Sequence, residues 1–125
     1  MALCSSRCYR LAQLLDLAAV ESRLSGKAIA WTARGPAYRF WSMTADGEWS
    51  ELRHAEHLRA RSLPPGMSIA DLRVDNTAVP EVMRLEFNPD APPLAFAIGM
   101  VIGNARMVIA ASPIGEITVL PGERH

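Results

Sequence analysis

The chain has 125 residues, half of them hydrophobic, with 13 basic and 13 acidic side chains and a formal charge of zero. That length suits one domain spanning 1–125 with a single core, and the composition excludes both a disordered tail and a broadly basic nucleic-acid binder. No window reaches the roughly 18 consecutive apolar residues a membrane span requires, and the N-terminus lacks the positive-then-apolar layout of a signal peptide, so the chain as given is expected to be soluble.

The first element is a spine helix over residues 1–26, clearest from Leu11 to Ser25. At 3.6 residues per turn, Cys4, Cys8, Leu11, Leu14, Leu15, Ala18, Ala19 and Ser22 fall on one arc, and Gln13, Asp16 and Arg23 fall opposite. Gly26 stands where a left-handed cap needs a residue without a Cβ. Cys4 and Cys8 share the helix face but are poorly placed for an unstrained disulfide, and they read as small hydrophobes. Residues 27–125 read as a β-rich head. Lys27 to Thr32 alternates, with Ile29 and Trp31 on one side. Arg34, Gly35 and Pro36 turn the chain, and Ala37 to Ser42 resumes with Tyr38 and Phe40 facing together. Asp46 and Gly47 precede a short strand containing Trp49 and Leu52. Residues 53–61 fit a helical turn or an irregular crossover loop equally. Leu63, Pro64, Pro65 and Gly66 end that segment, and a strand follows from Met67 to Val74.

Asp75 to Glu81 reads as a loop, and Val82 to Phe87 as a strand with Met83, Leu85 and Phe87 facing the core. After Asn88 to Pro93 comes the longest strand, Leu94 to Ile102. One of its faces carries Leu94, Phe96, Ile98, Met100 and Ile102. The other, Ala95, Ala97, Gly99 and Val101, is nearly bare and is expected to receive the spine helix, an under-packed edge being the alternative. Arg106 to Ala110 and Glu116 to Leu120 complete a meander. The fold expected is α+β, an N-terminal amphipathic helix packed on antiparallel sheets, with Ile29, Phe40, Leu85, Phe87, Phe96 and Ile98 buried.

Chemistry is sparse. His54, Glu56 and His57 have metal-ligand types, but no partner stands at a convincing spacing for a zinc site. Ser112, in Ser-Pro-Ile-Gly, lacks the elbow that exposes a nucleophile and reads as a turn residue. The carboxylates Asp16, Glu21, Asp46, Glu48, Asp71 and Glu86 form no pair set to split their pKa values. Trp31, Trp41 and Trp49 fit core positions better than a binding groove. The expectation is a protein that is not an enzyme, with no catalytic residues, cofactor or metal.

In order, these motifs resemble the H-type minor pseudopilins of bacterial type II secretion, a family sharing its fold with FimT-like minor type IV pilins. The resemblance runs through the helix with Glu21 and Gly26, Ala37-Tyr38-Arg39-Phe40, Gly47-Glu48-Trp49, and Leu58-Arg59-Ala60-Arg61-Ser62-Leu63-Pro64-Pro65-Gly66. It continues through Leu85-Glu86-Phe87-Asn88-Pro89, Leu94 to Ile98, and Ser112-Pro113-Ile114-Gly115. It implies a helix on a β-sandwich-like head, exposed to the periplasm and built near the tip of a pilus-like fibre. Such a protein would contact other minor and major pseudopilins through its helix and head, and would reach the inner membrane only through a segment absent here. The FimT-like alternative, a DNA-binding pilin, would use a basic C-terminal patch; here that end reads Pro121-Gly122-Glu123-Arg124-His125. Arg7 and Arg10 interrupt the apolar run with which family members begin, so the chain reads as a soluble portion cut within the long helix or as a naturally short relative. The span from Leu3 to Ala18, about 22 Å, exceeds one typical strand of about 17–20 Å. Leu3, Cys4, Cys8 and Leu11 are therefore expected to protrude as a partner interface.

Overall fold

The computed structural model describes residues 2–52, 57–75, 77–78 and 83–121, with side chains from Cys8 onward. A helix, α1 (Ala2–Ser25), is followed by β1 (Ile29–Arg34), β2 (Ala37–Met43), β3 (Trp49–Glu51), β4 (Arg61–Ser62), β5 (Met67–Val74), β6 (Thr77–Ala78), β7 (Met83–Phe87), β8 (Phe96–Ile102), β9 (Ala105–Ala111) and β10 (Ile117–Pro121). They form two antiparallel sheets. The first has the order β3-β2-β1-β7, with β4 also on β2, and the second the order β10-β9-β8-β5-β6. The α+β architecture expected from the periodicities is thus the one adopted.

Local chemistry explains each reversal. Gly26 takes φ +73° and donates its N–H to the Ser22 carbonyl, closing the last turn of α1 in a left-handed cap. Gly35 and Pro36 form a two-residue loop between the paired Arg34 and Ala37, with the positive φ at Gly35. Two hairpins share one device: Thr44 N–H donates to Glu48 O, Gly47 N–H to Thr44 O and Glu48 N–H to Thr44 Oγ1, and Ser112, Gly115 and Glu116 repeat all three bonds. Ser112 is therefore a turn residue, as its Ser-Pro-Ile-Gly setting implied.

Leu-Pro-Pro-Gly has a structural job. Met67 N–H donates to Pro64 O across a turn with Pro65 second and Gly66 third, the arrangement that suits a type II turn. Leu63 N–H bonds Pro36 O, Ile69 N–H bonds Gly35 O, and Gly66 O accepts from Gly103 N–H, so this crossing is tied to loops of both sheets.

The core lies where α1 meets the inner faces of both sheets. Helix residues Leu11, Leu15 and Ala18 belong to one buried cluster with Trp31, Phe40 and Leu85 of the first sheet and Leu72, Ile98, Met100 and Ile109 of the second. Of the six residues expected to be buried, Ile29, Phe40, Leu85, Phe96 and Ile98 are buried and Phe87 is half-buried. Two short strands went unread. Arg61–Ser62 pairs with β2, and Thr77–Ala78 turns back on β5 through Asp75, whose φ is +51°. A pair of bonds gives no periodicity to detect.

Among the described residues, no helix lies on the bare face of β8. Arg106 of β9 reaches across β8 to Asp71 of β5, Nη2 to Oδ2 2.7 Å, and a Cβ on Gly99 would collide with both side chains. The small residues make room for this cross-strand ion pair, while α1 contacts β9 and β10 of the same sheet and shares its core with the opposite, apolar face of β8. Nor is β8 an edge, since it lies between β5 and β9.

Ser22 anchors the helix end. It is almost fully buried, and its hydroxyl lies 2.8 Å from the Lys27 carbonyl oxygen and 3.0 Å from that of Phe87, donating its one proton between them. Ser22→Ala is expected to cost about 1–2 kcal/mol, because it leaves buried carbonyls short of a donor. A urea midpoint identical to that of the parent would contradict this tether.

Candidate assembly surface

The side chains expected to protrude from α1 divide. Cys8 and Leu11 are fully buried and belong to the head's own core, so these two do not form an exposed assembly face. The expectation compared the apolar arc with one strand's length. The helix instead contacts β1 and β7 of one sheet and β9 and β10 of the other, and two flanking sheets cover the stretch from Cys8 to Ser22, about 21 Å of helix. The side chains of Leu3 and Cys4 lie outside those described; their backbone continues α1 in front of Cys8. Gln13, Asp16 and Arg23 are exposed, as the opposite arc required. No described helix is long and apolar enough to cross a membrane.

Other candidates resolve into structural roles. His54 and Glu56 lie outside the described residues, His57 is exposed, and no group of three metal-ligand types forms among the described residues. Glu86 pairs with Arg84 at 2.9 Å and Asp71 with Arg106, while Asp16, Glu21, Asp46 and Glu48 face solvent. The tryptophans part company. Trp31 is fully buried, but Trp41 and Trp49 lie on the outer face of the first sheet, half-buried. There Trp41 Nε1 donates to Thr32 Oγ1 at 2.9 Å, and the Arg84 guanidinium stands 4.7 Å from the Trp49 ring centre. Alternation alone marks which aromatics share a face, and neither tryptophan's polar contact was visible in it.

Two hollows flank α1. Tyr9, Gln13 and Asp16 form one bank of a groove whose other bank is β10 with its preceding turn. The groove is contiguous, through Asp16, Gly115 and Ile117, with an apolar cleft under Pro93 and Leu94 that reaches Phe96. On another side, Arg10, Arg59 and Arg61 line a hollow with Tyr38 and Leu63, and no carboxylate lines it among the described residues. Large apolar side chains exposed elsewhere are Leu24 at 80%, Ile114 at 79% and Leu120 at 49%, beside Tyr9 at 53%.

No family model matches the chain, and no curated protein matches it. Solved structures do. The minor pseudopilin EpsH from the type II secretion system of Vibrio cholerae superposes with a TM-score of 0.69 at 18% identity, over 96% of this chain and 96% of that one. A crystal structure of the minor pseudopilin EpsH from the same system gives a TM-score of 0.63 at 19% identity, over 97% of this chain and 94% of that one. The chain has the fold of these pseudopilins, helix and both sheets included.

Proposed function

We propose that this chain is a structural minor subunit of a type II secretion pseudopilus, placed near the fibre tip and serving protein export across the outer membrane. The observation carrying this reading is the EpsH-like fold matched over nearly the whole of both chains. The motif order read from the sequence supports it independently, since Leu-Pro-Pro-Gly forms the tied crossing between sheets. The N-terminal turns that carry Leu3 and Cys4 extend α1 ahead of the head's core, where neighbouring pseudopilin helices would cover them in a fibre. The head would stand on the periplasmic face of the inner membrane, and the protein would work through surfaces, with no catalytic step.

Deleting the gene in its source bacterium is expected to trap type II substrates in the periplasm, and restoring it to return them to the medium. Unchanged export in the deletion strain would overturn the proposal.

A DNA-binding pilin is favoured by one observation, the hollow lined by Arg10, Arg59 and Arg61. Three phosphate contacts would release few counterions, giving a log–log salt slope of only about −2.7 and weak binding at physiological salt. The C-terminal residues 122–125, where that family's patch would lie, are outside those described.

A further inference from the structure

The outer edge of β10 is an open row of hydrogen-bonding groups. Its phase follows from the hairpin. Ser112 and Glu116 form a hydrogen-bonded pair, so with the register Thr118↔Ala110 and Leu120↔Val108 the next bonded pairs are 110–118 and 108–120. The other hairpin of the same construction shows this alternation: Thr44–Glu48 is bonded, and four residues on along the ladder Leu52 N–H donates to Phe40 O. Ile117 and Val119 therefore turn their N–H and C=O groups away from β9. Among the described residues, no other strand pairs with β10. Pro121, which has no N–H, occupies the same outward phase, where a proline costs no ladder bond.

This edge borders the groove with α1. From Tyr9 to Arg23 the helix bank runs about 21 Å, the length of six extended residues at about 3.3 Å each. The half from Tyr9 to Asp16 is acidic, with Glu116 in its wall and Asp16 where the two hollows meet; among the described residues neither is ion-paired and no basic side chain lines this half. At the other end the cleft over Phe96, Leu94 and Pro93 is apolar, with Arg23 at its rim and Glu86 already held by Arg84.

We propose that β10 receives an extended segment of a partner polypeptide, added as a further strand, with a lysine or arginine between Asp16 and Glu116 and an aliphatic side chain in the cleft over Phe96. Backbone bonds to Ile117 and Val119 supply affinity, and the acid-to-apolar gradient fixes which segment fits and in which direction. The inference stands on this geometry and does not depend on the secretion reading.

The test uses capped six-residue peptides of alternating threonine, with lysine near one end and leucine near the other, in both chain directions, titrated onto the ¹⁵N-labelled chain. Shifts are expected at Gly115, Ile117 and Val119, with slowed amide exchange at Ile117 and Val119, and about tenfold weaker binding when lysine becomes glutamate. Val119→Pro removes one outward N–H and no ladder bond, so it should weaken binding about tenfold with the fold retained. Asp16→Asn, at an exposed position, should erase most of the lysine preference. Failure of every peptide to bind at millimolar concentration, equal binding of lysine and glutamate peptides, or shifts centred on another sheet edge would each overturn the proposal.

Discussion

Leu11→Asp is expected to leave the domain largely unfolded at room temperature. Leu11 is fully buried between the helix and both sheets. Losing its burial costs about 1.5–3 kcal/mol, and an unpaired carboxylate in that site adds several kcal/mol of desolvation or the equivalent cost of protonation. The sum is comparable with the roughly 5–15 kcal/mol that stabilises a domain of this kind. Cys8→Asp should act in the same direction, because Cys8 is buried in the same cluster. Circular dichroism melting decides it. A cooperative transition near the parent's midpoint in Leu11→Asp would put that side chain on the surface and return it to the assembly face.

Phe96→Ala should cost about 3–5 kcal/mol and lower the urea midpoint without changing the slope. Phe96 opens β8 and is buried, with its ring edge-on to Phe87 at 6.3 Å between centroids and an interplanar angle of 82°. Truncation leaves a void next to the apolar cleft, and the inner rows of β5 and β8 cannot close on it without shifting their shared register. An unchanged midpoint would mean that Phe96 contributes no packing and that the core is centred elsewhere.

Where a single periodicity governs, the residues announced their structure. Met83–Phe87 forms a strand with Met83 and Leu85 buried, in keeping with the alternation read from Val82 to Phe87, and Gly26 caps α1 as its position required. The helix was legible as amphipathic, but the number of sheets covering it was not. Cys8 and Leu11 look alike on a helical arc whether a partner or the same chain buries them, because local pattern records burial and not its author. The small face of β8 failed for a related reason. Ala97 and Gly99 report only that something approaches closely, and the approaching group is an Arg106–Asp71 pair contributed by strands separated by 35 positions in sequence. The groove beside β10 depends on hairpin phase and on α1 lying against the edge strand, which is long-range information. Asp16 and Glu116 carried no signal of proximity.

The claim that the chain builds a pseudopilus rests finally on what its first helical turns touch. A photo-crosslinking amino acid in place of Leu3, encoded in the source bacterium, activated in secreting cells and followed by mass spectrometry of the adducts, addresses that contact directly. The predicted result is adducts to the N-terminal helices of other pseudopilins, lost together with secretion in a Leu3→Arg, Cys4→Arg protein whose head still melts at the parent temperature. Adducts confined to the protein's own head, with secretion intact in that variant, would contradict it.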